Sequence, residues 1–284
     1  MTRRKSQPGF TLVEMIVVIV ITGIIGGMVA IFLRVPIQQY FATARRADMT
    51  DIADTSLRRI GRDLRLALPN SVRVTGTCGA VGSTCFIEFL PTRGGGRYRM
   101  GAPGNILNFS APVTSFDVLG LPMPVNAYAA NSDRIVVYNQ GTTGANAYAG
   151  DNTGVYASNT ATTITISPGK QFPLESPSAR FQVITTPVSY VCAPAVNGIG
   201  GTLTRYWGYP IQPLQSAVDT VAKLVALTTA ATRAQLATNV STCNFNYDAN
   251  VVAQRSGLVT INLGITEDNE TVTLYSATHV SNVP

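Results

Sequence analysis

The side chains able to do chemistry are few in this 284-residue chain, and most stand alone. There is one histidine, His279, with no cysteine near it and no Gly-x-Ser-x-Gly around any serine, so no local motif supplies a base and a nucleophile together. Arg93, Arg97 and Arg99 surround a triglycine in RGGGRYR, but the lysine and the strand-to-helix frame of a phosphate loop are missing, and the stretch reads as a flexible loop. Glu267, Asp268 and Glu270 lack the spacing of an EF-hand and read as a solvated turn, so no metal is expected. Tyr206, Trp207 and Tyr209 in TRYWGYP are candidate ligand-binding aromatics, able to stack on a sugar, anchor an interface or cap a core. Together these residues suggest no catalytic site and no cofactor, and the chain reads as a non-enzyme.

One carboxylate asks for a different explanation. Glu14 lies inside PGFTLVEMIVVIVITGIIGGMVAIFLR, where the residues from Phe10 to Leu33 are almost unbroken hydrocarbon. An ionised carboxylate at bilayer depth costs on the order of 3 kcal/mol even on the gentlest scales. A cleaved secretory signal would have a shorter apolar core and a small-x-small cleavage site, and FLRVPIQQY offers none. A plain signal anchor accounts for Arg3, Arg4 and Lys5 followed by a membrane-length span. It leaves Glu14 only the option of snorkelling to the headgroups. A third reading takes Gly9-Phe10-Thr11-Leu12-Val13-Glu14 as a single signal.

Charge and cysteine usage narrow the classes further. The formal net charge is +6, but residues 1–73 hold 11 Lys/Arg against 5 Asp/Glu, and the remainder holds 10 of each. The arginines at 45, 46, 58, 59, 62 and 65 interleave with aspartates, as on a salt-bridged helix face, and nucleic acid is not an expected partner. Cys78, Cys85, Cys192 and Cys243 allow three pairings. With no C-x-x-C present, disulfides in an oxidising compartment are the expectation. Closing Cys78 to Cys85 costs least in loop entropy and would leave Cys192 to staple Cys243.

These residues need elements to hold them. Ile37, Phe41, Ala44, Ile52, Leu57, Ile60, Leu64 and Leu68 recur mostly at three- and four-residue steps, which predicts a helix from Phe10 to Leu68 ended by Pro69-Asn70. Asp54–Arg58 and Arg59–Asp63 stand at i,i+4 on its wetter faces. Pro36, Gly23, Gly26 and Gly27 mark points of kinking or of tight helix packing. After residue 70 the segments SVRVTG, CFIEFLP, DRIVVYN, ATTITIS, RFQVITTPVSYVC, LVTINLGI and TVTLYSATHV read as strands, the last two joined in a hairpin by TEDNE. Loops are expected over 94–105 and 139–160, and one helix or two short ones within 219–240. The fold class is α+β: a long N-terminal helix, 10–34 spanning a membrane and 35–69 packed on a β-rich head of residues 70–284 with antiparallel sheet.

PGFTLVEMIVVIVITGII closely resembles the signal of type IV pilins and type II secretion pseudopilins. The resemblance implies that a prepilin peptidase cuts after Gly9, removing the basic leader 1–9, and that Phe10 is then N-methylated. It implies that Glu14 pairs with the terminal ammonium of a neighbouring subunit, two costly charges becoming tolerable together. ARRADMTDIADTSLRRIGRDLRLALPNSVRV, ARFQVITTPVSYVC, GTLTRYWGYPIQP and HVSNVP are similar to minor pilin-like proteins of mannose-sensitive haemagglutinin (MSHA) pilus biogenesis, the O-type member in particular. LATNVSTCNFNYD resembles the J-type minor pseudopilin of type II secretion. These likenesses imply a minor subunit that initiates or caps a filament, or a secretion pseudopilin, or a tip adhesin. Its partners would be other major and minor pilins, the prepilin peptidase and methyltransferase, and the inner-membrane assembly platform. It would start in the bacterial inner membrane with the leader cytoplasmic and the head periplasmic, and end at the pilus tip.

Overall fold

The computed structural model describes residues 9–80, 82–252 and 256–284. The basic residues expected in the leader, Arg3, Arg4 and Lys5, lie outside them. The chain divides into two compact units, one up to Asp48 and one from Met49 to Pro284. Helix α1 (Leu12–Leu64) begins in the first unit and ends in the second. In the first unit α1 runs through Pro36 and contains an 18-residue window of mean hydropathy 2.9, none of it buried within the protein. Ile37 and Phe41, expected on a packed face, are exposed.

In the second unit α1 acquires a buried stripe. Met49, Ala53, Leu57, Ile60 and Leu64 recur at three- and four-residue steps and are all buried. Ile52 falls off that stripe and is 38% exposed. The helix stops at Leu64, short of the expected Leu68. Tight turns (Leu66 N–H to the Asp63 carbonyl, Ala67 N–H to the Leu64 carbonyl) hand the chain to strand-like pairing, with Leu68 N–H on the Leu90 carbonyl at 2.7 Å.

The strands of the described residues, in chain order, are β1 (Arg73–Gly76), β2 (Cys85–Phe89), β3 (Thr92–Tyr98), β4 (Val113–Leu119) and β5 (Arg134–Val137), then β6 (Thr153–Asn159), β7 (Thr163–Lys170) and β8 (Arg180–Ile184). After them come β9 (Val188–Ala193), β10 (Thr202–Trp207), β11 (Arg233–Thr238), β12 (Val240–Val252), β13 (Ser256–Glu267) and β14 (Glu270–Ser281), with a short helix α2 (Val221–Leu227) between β10 and β11. They form three antiparallel assemblies: a five-stranded sheet β1-β2-β9-β10-β11, a three-stranded sheet β12-β13-β14 and a closed barrel β3-β4-β7-β6-β5-β8. The last turns of α1 share one core with Ile87, Tyr190 and Leu203 of the first sheet and Phe245, Ile261 and Val280 of the second. The opposite face of the five-stranded sheet buries Phe86, Val191 and Tyr206 against Leu224 of α2.

The barrel is an insertion. It leaves after β2 and returns at β9, where Phe89 and Val188 are directly paired. Its interior is a core of its own, built on Tyr98, Phe116, Tyr156, Ile164, Phe172 and Phe181. RGGGRYR, expected to be a loop, is strand β3, and closeness at the seam explains its glycines. A Cβ on Gly94 would stand 2.6 Å from the Tyr128 hydroxyl, and one on Gly95 would stand 2.7 Å from the Phe181 carbonyl oxygen.

One other expectation changes, and one is sharpened. Strand β6 lies within 139–160, read as loop. The stretch 219–240 holds two short helical pieces, α2 over Val221–Leu227 and a single 3-10 turn over Ala230–Thr232, before β11 begins. Its alanines favour helix, but Thr228, Thr229 and Thr232 are β-branched, and β11 gains pairing with β10 from Arg233 onward. The expected C-terminal hairpin is formed. Asp268 and Asn269 take φ of 49° and 62°, as a two-residue type I′ connection requires.

Candidate functional site: the head of the apolar helix

Gly9 and Phe10 precede α1, and Phe10 is 80% exposed. Thr11 is the residue at which the helix is capped. Its hydroxyl accepts the Glu14 backbone N–H at 3.3 Å, and the Glu14 carboxylate accepts the Thr11 backbone N–H at 3.5 Å. This reciprocal arrangement is a capping box, and it satisfies donors that every helix start leaves open. A carboxylate in the first turn also faces the positive end of the helix dipole. Glu14 is exposed nonetheless, with the apolar side chains Leu12, Val13, Met15 and Ile16 exposed around it. The Thr-x-x-Glu spacing carries this local role in the sequence, and an argument from membrane cost alone misses it.

The cysteines are joined Cys78 to Cys85 and Cys192 to Cys243, with Cα separations of 4.8 and 6.3 Å. Cys85 and Cys192 are direct partners across β2 and β9, so both bridges meet at one place, and the longer one ties the two sheets together.

The candidate aromatics Tyr206, Trp207 and Tyr209 do not share one exposed face. Strand alternation sends Tyr206 and Trp207 to opposite faces of the sheet. Tyr206 is 5% exposed among the residues around Phe86, while Trp207 packs on the core under α1. There the Arg205 guanidinium lies 4.7 Å from the Trp207 ring, and Arg205 Nε bonds Asp63 of α1 at 2.9 Å. The Tyr190 hydroxyl donates to the same Asp63 oxygen at 2.7 Å, which fixes the helix to the sheet. Burial and Asp63 together hold the Tyr190 phenol well above its usual range.

Tyr209 is fully buried and belongs to a second network. Its hydroxyl donates to Glu88 Oε1 at 3.0 Å, while Arg73 Nε reaches Glu88 Oε2 at 2.8 Å. Burial pushes the Glu88 carboxyl above the usual range even though Arg73 and Tyr209 pull the other way. The remaining Arg73 nitrogens donate to the Gln212 and Pro213 carbonyls, and its guanidinium stacks 3.6 Å from the Tyr148 ring centre. Every part of this network faces another part of the same chain. It is structural.

His279 is exposed on β14, and Glu267, Asp268 and Glu270 sit at the β13–β14 turn. Among the described residues no group of three His, Cys, Asp or Glu side chains is placed to hold a metal ion.

No curated protein and no solved structure matches the chain. Residues 4–30 match the prokaryotic N-terminal methylation motif. The match spans the Gly9-Phe10 junction, the capping box and most of the apolar run. That motif, at the head of an exposed apolar helix followed by an antiparallel β head, supports a type IV pilin or pseudopilin that is anchored in a membrane and is a substrate of prepilin peptidase.

Proposed function

We infer that the chain is a minor pilin, cut after Gly9, N-methylated on Phe10 and drawn from the membrane into a filament through Glu14. On this reading residues 1–9 are the leader, 10–34 the membrane and assembly half of the helix, 35–69 its amphipathic half, and 70–284 the head. The observation that carries it is Glu14: exposed in an apolar helix, one turn from Phe10, and inside the methylation motif. Cleavage would put an ammonium on Phe10, the charge that such a carboxylate needs from a neighbour.

The large head suits a subunit that initiates or caps an MSHA-like pilus, in keeping with the sequence likeness. Arg3, Arg4 and Lys5 favour a cytoplasmic leader, and two disulfides favour a periplasmic head. The likeness of LATNVSTCNFNYD to a J-type pseudopilin keeps a secretion pseudopilus as the second reading. Ligand binding by the head would have to use a surface other than Tyr206 and Tyr209, which are buried.

The test is the intact mass and N-terminal sequence of the protein recovered from membranes and from sheared filaments. A chain starting at N-methyl-Phe10 in the sheared fraction is the expected result. A chain starting at Met1, confined to membranes of a peptidase-competent strain, would make Glu14 a snorkelling anchor residue and end the filament reading. A processed chain in membranes alone would favour the short secretion pseudopilus.

A further inference from the structure

Most sheet edges in the head are closed, short or covered. The barrel has none. Strands β1 and β11 are 4 and 6 residues long. The outer side of β12 is occupied in part, its Cys243 and Val240 carbonyls accepting the Gly79 and Ala195 N–H groups at 3.0 Å each. Strand β14 is different. It pairs with β13 in one unbroken register over 12 residues, without a bulge. From Thr271 to Ser281 it holds no lysine, arginine or proline. Among the described residues, the backbone groups it turns away from β13 have no partner from Thr271 to Val280. Long edges of this kind are ordinarily blunted by charge, proline or a bulge, because they are templates for another strand.

Beside this edge runs a groove of ≈490 Å³ between β14 and the last turns of α1. Leu57 and Gly61 line it together with Leu274 through Thr278, and Arg58, Arg62 and Arg65 line its helix side. Arg58 is paired with Asp54 at 2.7 Å. Arg62 and Arg65 are exposed and have no acidic partner among the described residues. The groove therefore joins unsatisfied peptide donors and acceptors on one wall to uncompensated positive charge on the other.

We propose that the β14 edge and this arginine wall form a docking site for an extended acidic segment of another protein. The segment adds as a fourth strand beside β14 and directs acidic side chains at Arg62 and Arg65. Peptide backbone is the chemistry that completes an edge strand. Alternate side chains of a strand stand about 6.8 Å apart, and Arg62 and Arg65 are offset by about 4.5 Å along the helix, a difference that the long arginine side chains can take up. Acidic residues two positions apart on the added strand can thus reach Arg62 and Arg65. A nucleic acid would supply the charge but leave the edge unpaired. A second copy of this chain fits less well, because its acidic cluster at 267–270 is a tight turn in which Asp268 and Glu270 are already engaged. The site is independent of Glu14 and of processing at Gly9.

The test uses the full chain in detergent at low salt and a labelled peptide of about ten residues alternating Glu with Val, followed by fluorescence anisotropy. The acidic peptide is expected to bind at least about ten-fold tighter than its Lys–Val counterpart. The double variant Arg62→Glu, Arg65→Glu, whose melting should be unchanged, should reverse that preference. N-methylation of alternate backbone nitrogens should abolish binding in one phase and spare it in the other, since only one edge of the peptide faces β14. Equal binding of the two N-methylated forms would exclude strand addition. Equal binding of the Glu and Lys peptides would exclude the arginine wall, and a single-stranded oligonucleotide that outcompetes the peptide would reassign the groove to phosphates. Self-association that shuts out the peptide and is lost in the double variant would give the edge to a second copy. Any of these four results overturns the proposal.

Discussion

Glu88 and Glu14 are both carboxylates set among apolar residues, in different regions of the molecule. Glu88 is 1% exposed in β2, with Arg73 on one oxygen at 2.8 Å and Tyr209 on the other at 3.0 Å. Glu14 is exposed at the head of α1, and among the described residues its carboxylate accepts the Thr11 N–H at 3.5 Å. The head meets the cost of its carboxylate internally, with a guanidinium and a phenol brought from distant segments. Among the described residues, the helix offers its carboxylate one backbone donor and no cation. A charge left that incomplete in an apolar stretch is one that another molecule is expected to complete.

Glu14→Leu gives the largest effect expected from this contrast. It removes a membrane cost on the order of 3 kcal/mol, so the processed subunit should be held at least as firmly in the membrane. It should also disappear from sheared filaments, because nothing remains to pair with the neighbour's ammonium. Head unfolding, followed by tryptophan fluorescence of Trp207, should not change. A variant that enters filaments at the wild-type level would place the assembly determinant elsewhere in the helix.

Arg73→Ala reverses the pattern: large for the head and silent for the helix. It strips Glu88 of its cation while leaving it buried, and breaking such a pair typically costs about 3–5 kcal/mol. It also frees the Gln212 and Pro213 carbonyls and the face of Tyr148. Urea unfolding of the solubilised chain should show the loss, with cleavage at Gly9 unaffected. A cost below about 1 kcal/mol would mean that water reaches Glu88 and replaces Arg73.

Legibility in the sequence divides along the same line as the two carboxylates. The helix head is local: Gly9-Phe10 and Thr11-Leu-Val-Glu14 are contiguous, and even the capping box is spelled out in them. The stripe in the rest of α1 is legible only with errors of phase, since apolar spacing puts Ile52 on it and passes over Met49 and Ala53. The Glu88 network is not legible at all. It joins Arg73, Tyr148, Ser189 and Tyr209, which only strand pairing brings together. The barrel is hidden for a related reason. Its entry and exit meet at Phe89 and Val188, far apart in sequence, and its triglycine mimics a loop until the contacts with Tyr128 and Phe181 are known. TRYWGYP reads as one aromatic cluster in sequence, whereas alternation along β10 sends Tyr206 and Trp207 to different cores.

The smallest effect is a pH dependence at Glu88. Burial raises its carboxyl above the usual glutamate range, outweighing Arg73 and Tyr209. The folded protein therefore binds this proton more tightly than the unfolded chain does. The stability that Glu88 contributes is fully present below the ordinary glutamate pKa and is lost as pH rises through the raised value of the folded state. Glu88→Gln keeps the shape and removes the titration, so the wild type should lose ground to the variant as pH rises from about 4 towards neutrality. Subtracting the two melting curves cancels every other carboxylate, Glu14 included. A difference that stays flat would mean that burial and its partners cancel, and one that moves in favour of the wild type with rising pH would mean that Arg73 outweighs burial. Glu88 would then be held ionised by a cation supplied within the head, as Glu14 is expected to be held by a neighbouring subunit.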